Sequence, residues 1–155
     1  MFKKNLTEQE ARQKLERYCA YQERCHQEVW EKLYRLGANN VLAAQVVTHL
    51  IEHDFLNETR FACVFARSKF RQKQWGKNKI LLELKKREIS EYNCNKALME
   101  IEEKAFAETF ATLFAKRKAA VQHHPPLIQK RKIMDYLLYR GWEKERIYEA
   151  LQAAF

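Results

Sequence analysis

The sequence predicts an all-α fold, and three observations carry that expectation. Glycine and proline are scarce, with 3 and 2 copies in 155 residues, whereas sheet-rich and dinucleotide-binding folds use many glycines in turns. Apolar residues recur at i, i+3 and i+4 almost from end to end. The main breakers, Gly37, Gly141 and Pro125-Pro126, fall between periodic stretches.

Each element can be justified in chain order. Thr7 followed by Glu10 is a capping-box signal that opens a helix through about Tyr21, with Leu15, Tyr18 and Cys19 as its apolar stripe. A second helix spans about Gln27 to Leu36, turns Val29, Trp30, Leu33 and Leu36 inward, and stops at Gly37. A third covers about Val41 to His53. The next helices span Asn57 to Lys73, Asn78 to Arg87 and Glu91 to Ile101, the last running on, or nearly so, into Ala105 to Ala120. His123-His124-Pro125-Pro126 breaks the chain as an exposed linker. Ile128 to Arg140 and Glu143 to Ala153 complete it.

The pattern repeats. Trp30, Leu33, Gly37 and Val47 share their spacing with Leu81, Leu84, Glu88 and Leu98, and again with Met134, Leu137, Gly141 and Leu151. Adding the helix that precedes each set gives three tandem three-helix repeats, at 7–54, 55–102 and 103–155. A unit of about fifty residues buries little surface alone, so the units are expected to stack into an elongated, curved array.

Composition narrows the function. Hydrophobic residues make up 46% and charged residues 32% of the chain, enough core to exclude wholesale disorder. The net charge of +9 calls for an anionic partner. Ten basic residues lie between Arg60 and Ile89 against only Glu83 and Glu88, an excess of eight that is nearly the whole net charge. Arg60, Arg67 and Arg71 fall along one side of the helix; Phe61, Val64, Phe65 and Ser68 are expected to face the core. A partner that neutralises this unit explains the imbalance better than a merely solvated face. The flanking runs Lys116-Arg117-Lys118 and Lys130-Arg131-Lys132 suit either reading. No apolar run reaches the roughly 18 residues of a spanning helix, and the start of the chain, with Lys3 and Lys4 but no apolar stretch behind them, does not read as a secretory leader. Cys19, Cys25, Cys63 and Cys94 form no C-x-x-C pair and read as reduced, buried thiols of a cytoplasmic protein.

Phe55-Leu56-Asn57-Glu58-Thr59-Arg60-Phe61-Ala62, Ala66-Arg67-Ser68-Lys69, Trp75-Gly76, Ile80, Glu83-Leu84 and Ile89 together resemble the signature of the RecX regulatory family. Three positions depart from it. Asp54 and Glu88 stand where the family has glycine, and Asn57 stands for the first aspartate of a pair. Asparagine caps a helix as well as aspartate does, whereas Asp54 and Glu88 replace residues suited to a positive φ. The resemblance implies a fold of three tandem three-helix units. It implies a regulator that binds the RecA filament on single-stranded DNA, lies along its groove, and limits its growth, its ATPase and its recombination and SOS activities.

The expected surface for RecA, DNA phosphates or both comprises Arg60, Arg67, Lys69, Arg71, Lys73, Trp75, Lys77, Lys79, Lys86 and Arg87. Trp75 suits two roles, stacking on a base or plugging the gap between two units. Catalysis is not expected, because the sequence holds no phosphate loop, no H-E-x-x-H and no nucleophile elbow. Ser68 reads as a packed helical serine. His123-His124 and the Cys19, Cys25, His26 group lack zinc-site spacing, so no metal or cofactor is expected. The chain is read as a monomer that also accommodates duplex DNA and no membrane. An alternative is a stand-alone basic helical nucleic-acid-binding module with no RecA role; a third reading is a purely structural helical scaffold.

Overall fold

The computed structural model describes residues 5–155, and the leader reading at Lys3 and Lys4 lies outside the described residues. The described residues form nine α-helices and one π-helical turn: α1 (Glu8–Tyr21), α2 (His26–Arg35), α3 (Asn40–Glu52), α4 (Glu58–Ser68), the π turn (Lys69–Lys73), α5 (Lys77–Lys86), α6 (Glu91–Met99), α7 (Glu103–Ala120), α8 (Pro126–Tyr139) and α9 (Lys144–Ala154). Side-chain caps set four of the nine starts. Thr7, Asn39, Asn57 and Ser90 each accept a backbone N–H from the first turn of the helix they precede, satisfying donors that have no partner within the helix.

The repeat shows in the backbone. Gly37, Glu88 and Gly141, equivalent in spacing, have φ of +96°, +60° and +87°. Each ends a second helix, and the N–H of the next residue (Ala38, Ile89 or Trp142) reaches back to Leu33, Leu84 or Leu137. Asp54 also has φ of +60°. Both departures from the expected glycines therefore keep the glycine conformation.

Three expectations are corrected. The helix predicted over Asn57 to Lys73 is α-helical only to Ser68 and then widens into the π turn. Helices α6 and α7 do not run on: Glu100 closes one and Glu102, in an extended conformation, opens the other, with buried Ile101 between them. Pro126 is not linker but the first residue of α8, where its missing N–H costs nothing and its fixed φ is pre-set for a helix.

Buried residues fall into two clusters. Ala11, Leu15, Val29, Leu33, Val46 and Leu50 form the core of α1–α3, with Leu56 joining from the following segment. The second cluster runs through all of α4–α9, so the second and third repeats share one core. Its centre is Trp142, fully buried, with ring centroids 4.5 Å from Phe106 and 5.4 Å from Phe110. Burying such a side chain contributes about 1.5–3 kcal/mol. Phe70, in the π turn, reaches Phe106 at 6.1 Å and ties the two repeats together.

Candidate basic interface

The π turn shapes the site. The chain leaves it through Gln74, left-handed at φ 56° and ψ 39°, and the Trp75 N–H donates back to the Lys69 carbonyl at 3.3 Å. This folds Trp75 against α4, edge-on to Phe65 at 6.3 Å. The Lys69 ammonium then lies 5.5 Å from the Phe65 centroid and 5.3 Å from that of Trp75. The Lys79 ammonium lies 4.9 Å from Trp75 and 4.3 Å from Tyr139. Phe65, Lys69, Trp75, Lys79 and Tyr139 thus alternate ring and cation along one strip. Each such contact is worth about 0.5–1 kcal/mol at an exposed site, and it holds a flexible lysine head in place without neutralising it.

A backbone clasp carries the strip from α5 onto the α8–α9 turn. The Gly76 N–H donates to the Arg140 carbonyl at 2.8 Å and the Asn78 N–H to that of Gly141 at 3.0 Å. The Trp142 indole donates to the Gln74 carbonyl at 3.1 Å, and Arg140 Nη1 to the Lys73 carbonyl at 2.6 Å.

The ten residues expected to form the surface do not all meet there. Arg60 ties the first repeat to the second: its Nε donates to Glu23 at 2.7 Å and its Nη1 lies 3.0 Å from Asp54. Burial works against its charge, but Glu23 and Asp54 outweigh that and raise its pKa. Arg67 pairs with Glu100 at 3.1 Å. Lys77 turns to the third repeat, 4.7 Å from the Phe106 ring and 3.9 Å from Glu103. Lys86 and Arg87 share Glu83, at 3.4 and 3.0 Å. The hydrogen bond from Arg87 holds the Glu83 carboxyl below its ordinary range, and Lys86 adds to this. Lys69, Trp75 and Lys79 form the strip, and Arg71 and Lys73, exposed on the π turn, enter no ion pair among the described residues. Carboxylates from neighbouring segments, Glu23, Glu100 and Glu103, therefore offset part of the excess that the sequence concentrates in the middle repeat.

Tyr139 and Arg140 were not anticipated. Tyr139 is 79% exposed, and the signal for it was an aromatic and a basic residue directly before the stop at Gly141. Nothing in the sequence placed that stop beside Lys79.

Val64, Phe65 and Ser68 are half-buried and line a groove; Phe65 also packs against the core, and only Phe61 of that set is fully buried. The groove, about 590 Å³, has Phe61, Val64 and Phe65 as its floor. Glu23, Glu28, Glu31 and Glu83 line it together with Lys69, Lys86 and Arg87. The four cysteines are free and buried, and burial pushes the Cys19 and Cys25 thiols up to about 11. Among the described residues, no group of three or more His, Cys, Asp or Glu is placed to hold a metal ion. None of the described helices is long and apolar enough to cross a membrane.

Residues 57–98, from the cap of α4 through α6, match the second three-helix domain of RecX. The regulatory protein RecX of Bacillus cytotoxicus is 26% identical over 135 residues, covering 87% of this chain and 50% of that protein. RecX of Bacillus cereus is 24% identical over the same shares. The chain resembles RecX proteins along most of its length. It spans about half the length of the curated RecX relatives it matches. The crystal structure of RecX from Lactobacillus salivarius superposes with a TM-score of 0.81 at 24% identity, covering 94% of this chain and 97% of that one. A second RecX crystal structure gives the same score at 18% identity, over 99% and 81% of the two chains. These likenesses establish the all-helical, elongated RecX fold. The matched RecX domain contains the strip from Phe65 to Lys79, whereas Tyr139 lies outside it.

Proposed function

We propose that this RecX-type regulator acts without catalysis, binding the RecA filament on single-stranded DNA and restraining its growth and ATPase, and with them recombination and the SOS response. Residues 7–54, 55–102 and 103–155 act as its three repeats, and it works as a cytoplasmic monomer. The observation that carries this reading is the strip of Lys69, Trp75, Lys79 and Tyr139, beside the exposed Arg71 and Lys73, which form no ion pair among the described residues. Cations that are held in place but not neutralised suit phosphates and acidic protein faces, and rings between them suit unstacked bases. Arg60 and Arg67 support the fold around the strip more than they meet the partner.

The test is RecA ATPase on single-stranded DNA with and without this protein, repeated with Lys69→Glu, Arg71→Glu and Lys73→Glu combined. Inhibition by the wild type, lost in the folded triple variant, is expected. Equal inhibition by both would remove this surface from the reading. The same strip also suits a stand-alone nucleic-acid-binding module. Tight, salt-sensitive binding to bare DNA with no effect on RecA would favour that second reading.

A further inference from the structure

The first repeat carries a basic hollow of its own, on a part of the chain whose sequence charge is close to balanced. The hollow, about 490 Å³, is lined by Lys14 and Arg17 from α1, Arg24 from the α1–α2 connection and Lys32 from α2, together with Tyr18, Tyr21 and Leu36. No carboxylate is among its lining residues. Arg24 is held flat on Tyr18, its guanidinium carbon 3.7 Å from the ring centroid and its Nε donating to the Tyr18 carbonyl at 3.0 Å. Glu28 touches Arg24 from behind at 3.7 Å. The Lys32 ammonium lies 5.6 Å from the same ring. Tyr21, at the end of α1, is 83% exposed. Lys14, Arg17 and Lys32 enter no ion pair among the described residues.

We infer that this hollow binds single-stranded nucleic acid, with Tyr21 stacking on a base and Lys14, Arg17 and Lys32 meeting the adjacent phosphates. The donor inventory points there. Four cationic side chains supply only donors, and the tyrosine hydroxyls are the sole side-chain acceptors in the lining. A protein face brings donors and acceptors in mixture, whereas a phosphodiester backbone brings acceptors throughout. Stacking on Tyr21 needs a base free of its partner strand, which selects single strands over duplex. Arg24, fixed between ring and carbonyl, positions Tyr18 and closes the floor. The inference stands apart from the RecA reading and concerns the bare oligonucleotide.

The experiment is titration of a fluorescein-labelled oligothymidylate with the full chain across a salt series, without RecA. Three variants are compared: Lys14→Glu with Lys32→Glu, Tyr21→Ala, and Tyr21→Phe. The charge reversal is expected to weaken binding at least about tenfold and to reduce the log–log salt slope by ~1.4, for two lost contacts at ~0.7 each. Tyr21→Ala is expected to weaken binding about five- to a hundredfold, whereas Tyr21→Phe retains it. In the wild type, an oligonucleotide carrying 5-bromodeoxyuridine is expected to photocrosslink within residues 18–24, a readout that needs no variant to fold. Unchanged affinity and slope in both the charge reversal and Tyr21→Ala, or crosslinks confined to other segments, would overturn the inference. Unchanged oligonucleotide affinity with lost RecA inhibition would also overturn it, assigning the hollow to a protein partner. Failure of the RecA reading alone would leave these titrations as predicted.

Discussion

Gly76 and Gly141 meet through their backbones where the second repeat docks on the third. A Cβ on Gly76 would lie 2.4 Å from the Gly141 carbonyl oxygen, and one on Gly141 would lie 2.3 Å from the Lys79 Cβ. Gly76 itself has an ordinary extended backbone, φ −76° and ψ 170°. It is glycine for close approach, not for its turn. Gly76→Ala is therefore expected to cost about 3 kcal/mol, since backbone atoms and not a flexible side chain must yield. Gly37→Ala, where φ is +96° and the added Cβ meets nothing within 4 Å, is expected to cost only about 1–2 kcal/mol of backbone strain. Urea unfolding midpoints of the two variants check the order.

Glu88 holds the left-handed conformation that its repeat counterparts Gly37 and Gly141 adopt without a Cβ penalty. Glu88→Gly removes that strain but adds freedom to the unfolded chain. The strain is the larger of the two, and a net gain of about 0.5 kcal/mol is expected. Asp54→Gly is expected to gain less or to lose, because the Asp54 carboxylate pairs with Arg60 at 3.0 Å. Thermal unfolding of the two single variants separates these outcomes.

Arg60 links the first repeat to the second through Glu23. A double-mutant cycle of Arg60→Met and Glu23→Gln is expected to give a coupling of about 1 kcal/mol, held to that by the partial exposure of both side chains. The same variants are expected to leave oligonucleotide affinity within about twofold, since Arg60 is engaged inside the fold. A large affinity loss in folded Arg60→Met would return that residue to the binding surface.

Cys19 and Cys25 ionise near 11 in the fold, against 9.0 for an ordinary thiol, because burial disfavours the thiolate. The folded state thus binds these protons more tightly than the unfolded state. Stability from this source is complete below about pH 9 and declines as pH rises towards 11. The slope of unfolding free energy between these limits is expected to flatten in a Cys19→Ala, Cys25→Ala variant. At neutral pH all four thiols are expected to react with a disulfide reagent only after unfolding, because all are buried.

Much of the fold was legible because helix caps, apolar spacing and stops act over three or four residues. Asn57 caps α4 through the Arg60 N–H at 2.9 Å, and Gly37, Glu88 and Gly141 mark the repeat in spacing and in backbone alike. The π turn was not legible: Lys69–Lys73 carries no breaker, and its widening depends on Phe70 reaching Phe106 and Trp75 folding onto Phe65. The facing of α4 was legible only in part, for a similar reason. Small residues, Ala62, Cys63 and Ala66, take the core side where α6 packs closely, leaving the larger Val64 and Phe65 to line a groove.

Most helices, the threefold repeat, the excess of positive charge and the likeness to the RecX signature are written in residue type and local spacing. Which charges remain available depends on how the repeats pack. Glu23, Glu100 and Glu103, each over twenty residues from its basic partner in sequence, pair with Arg60, Arg67 and Lys77. Tyr139, 60 residues from Lys79, caps its ammonium instead. A charge count along the chain adds every cation equally. Coulomb attraction falls with distance in space, and the distance in space is set by packing of the repeats.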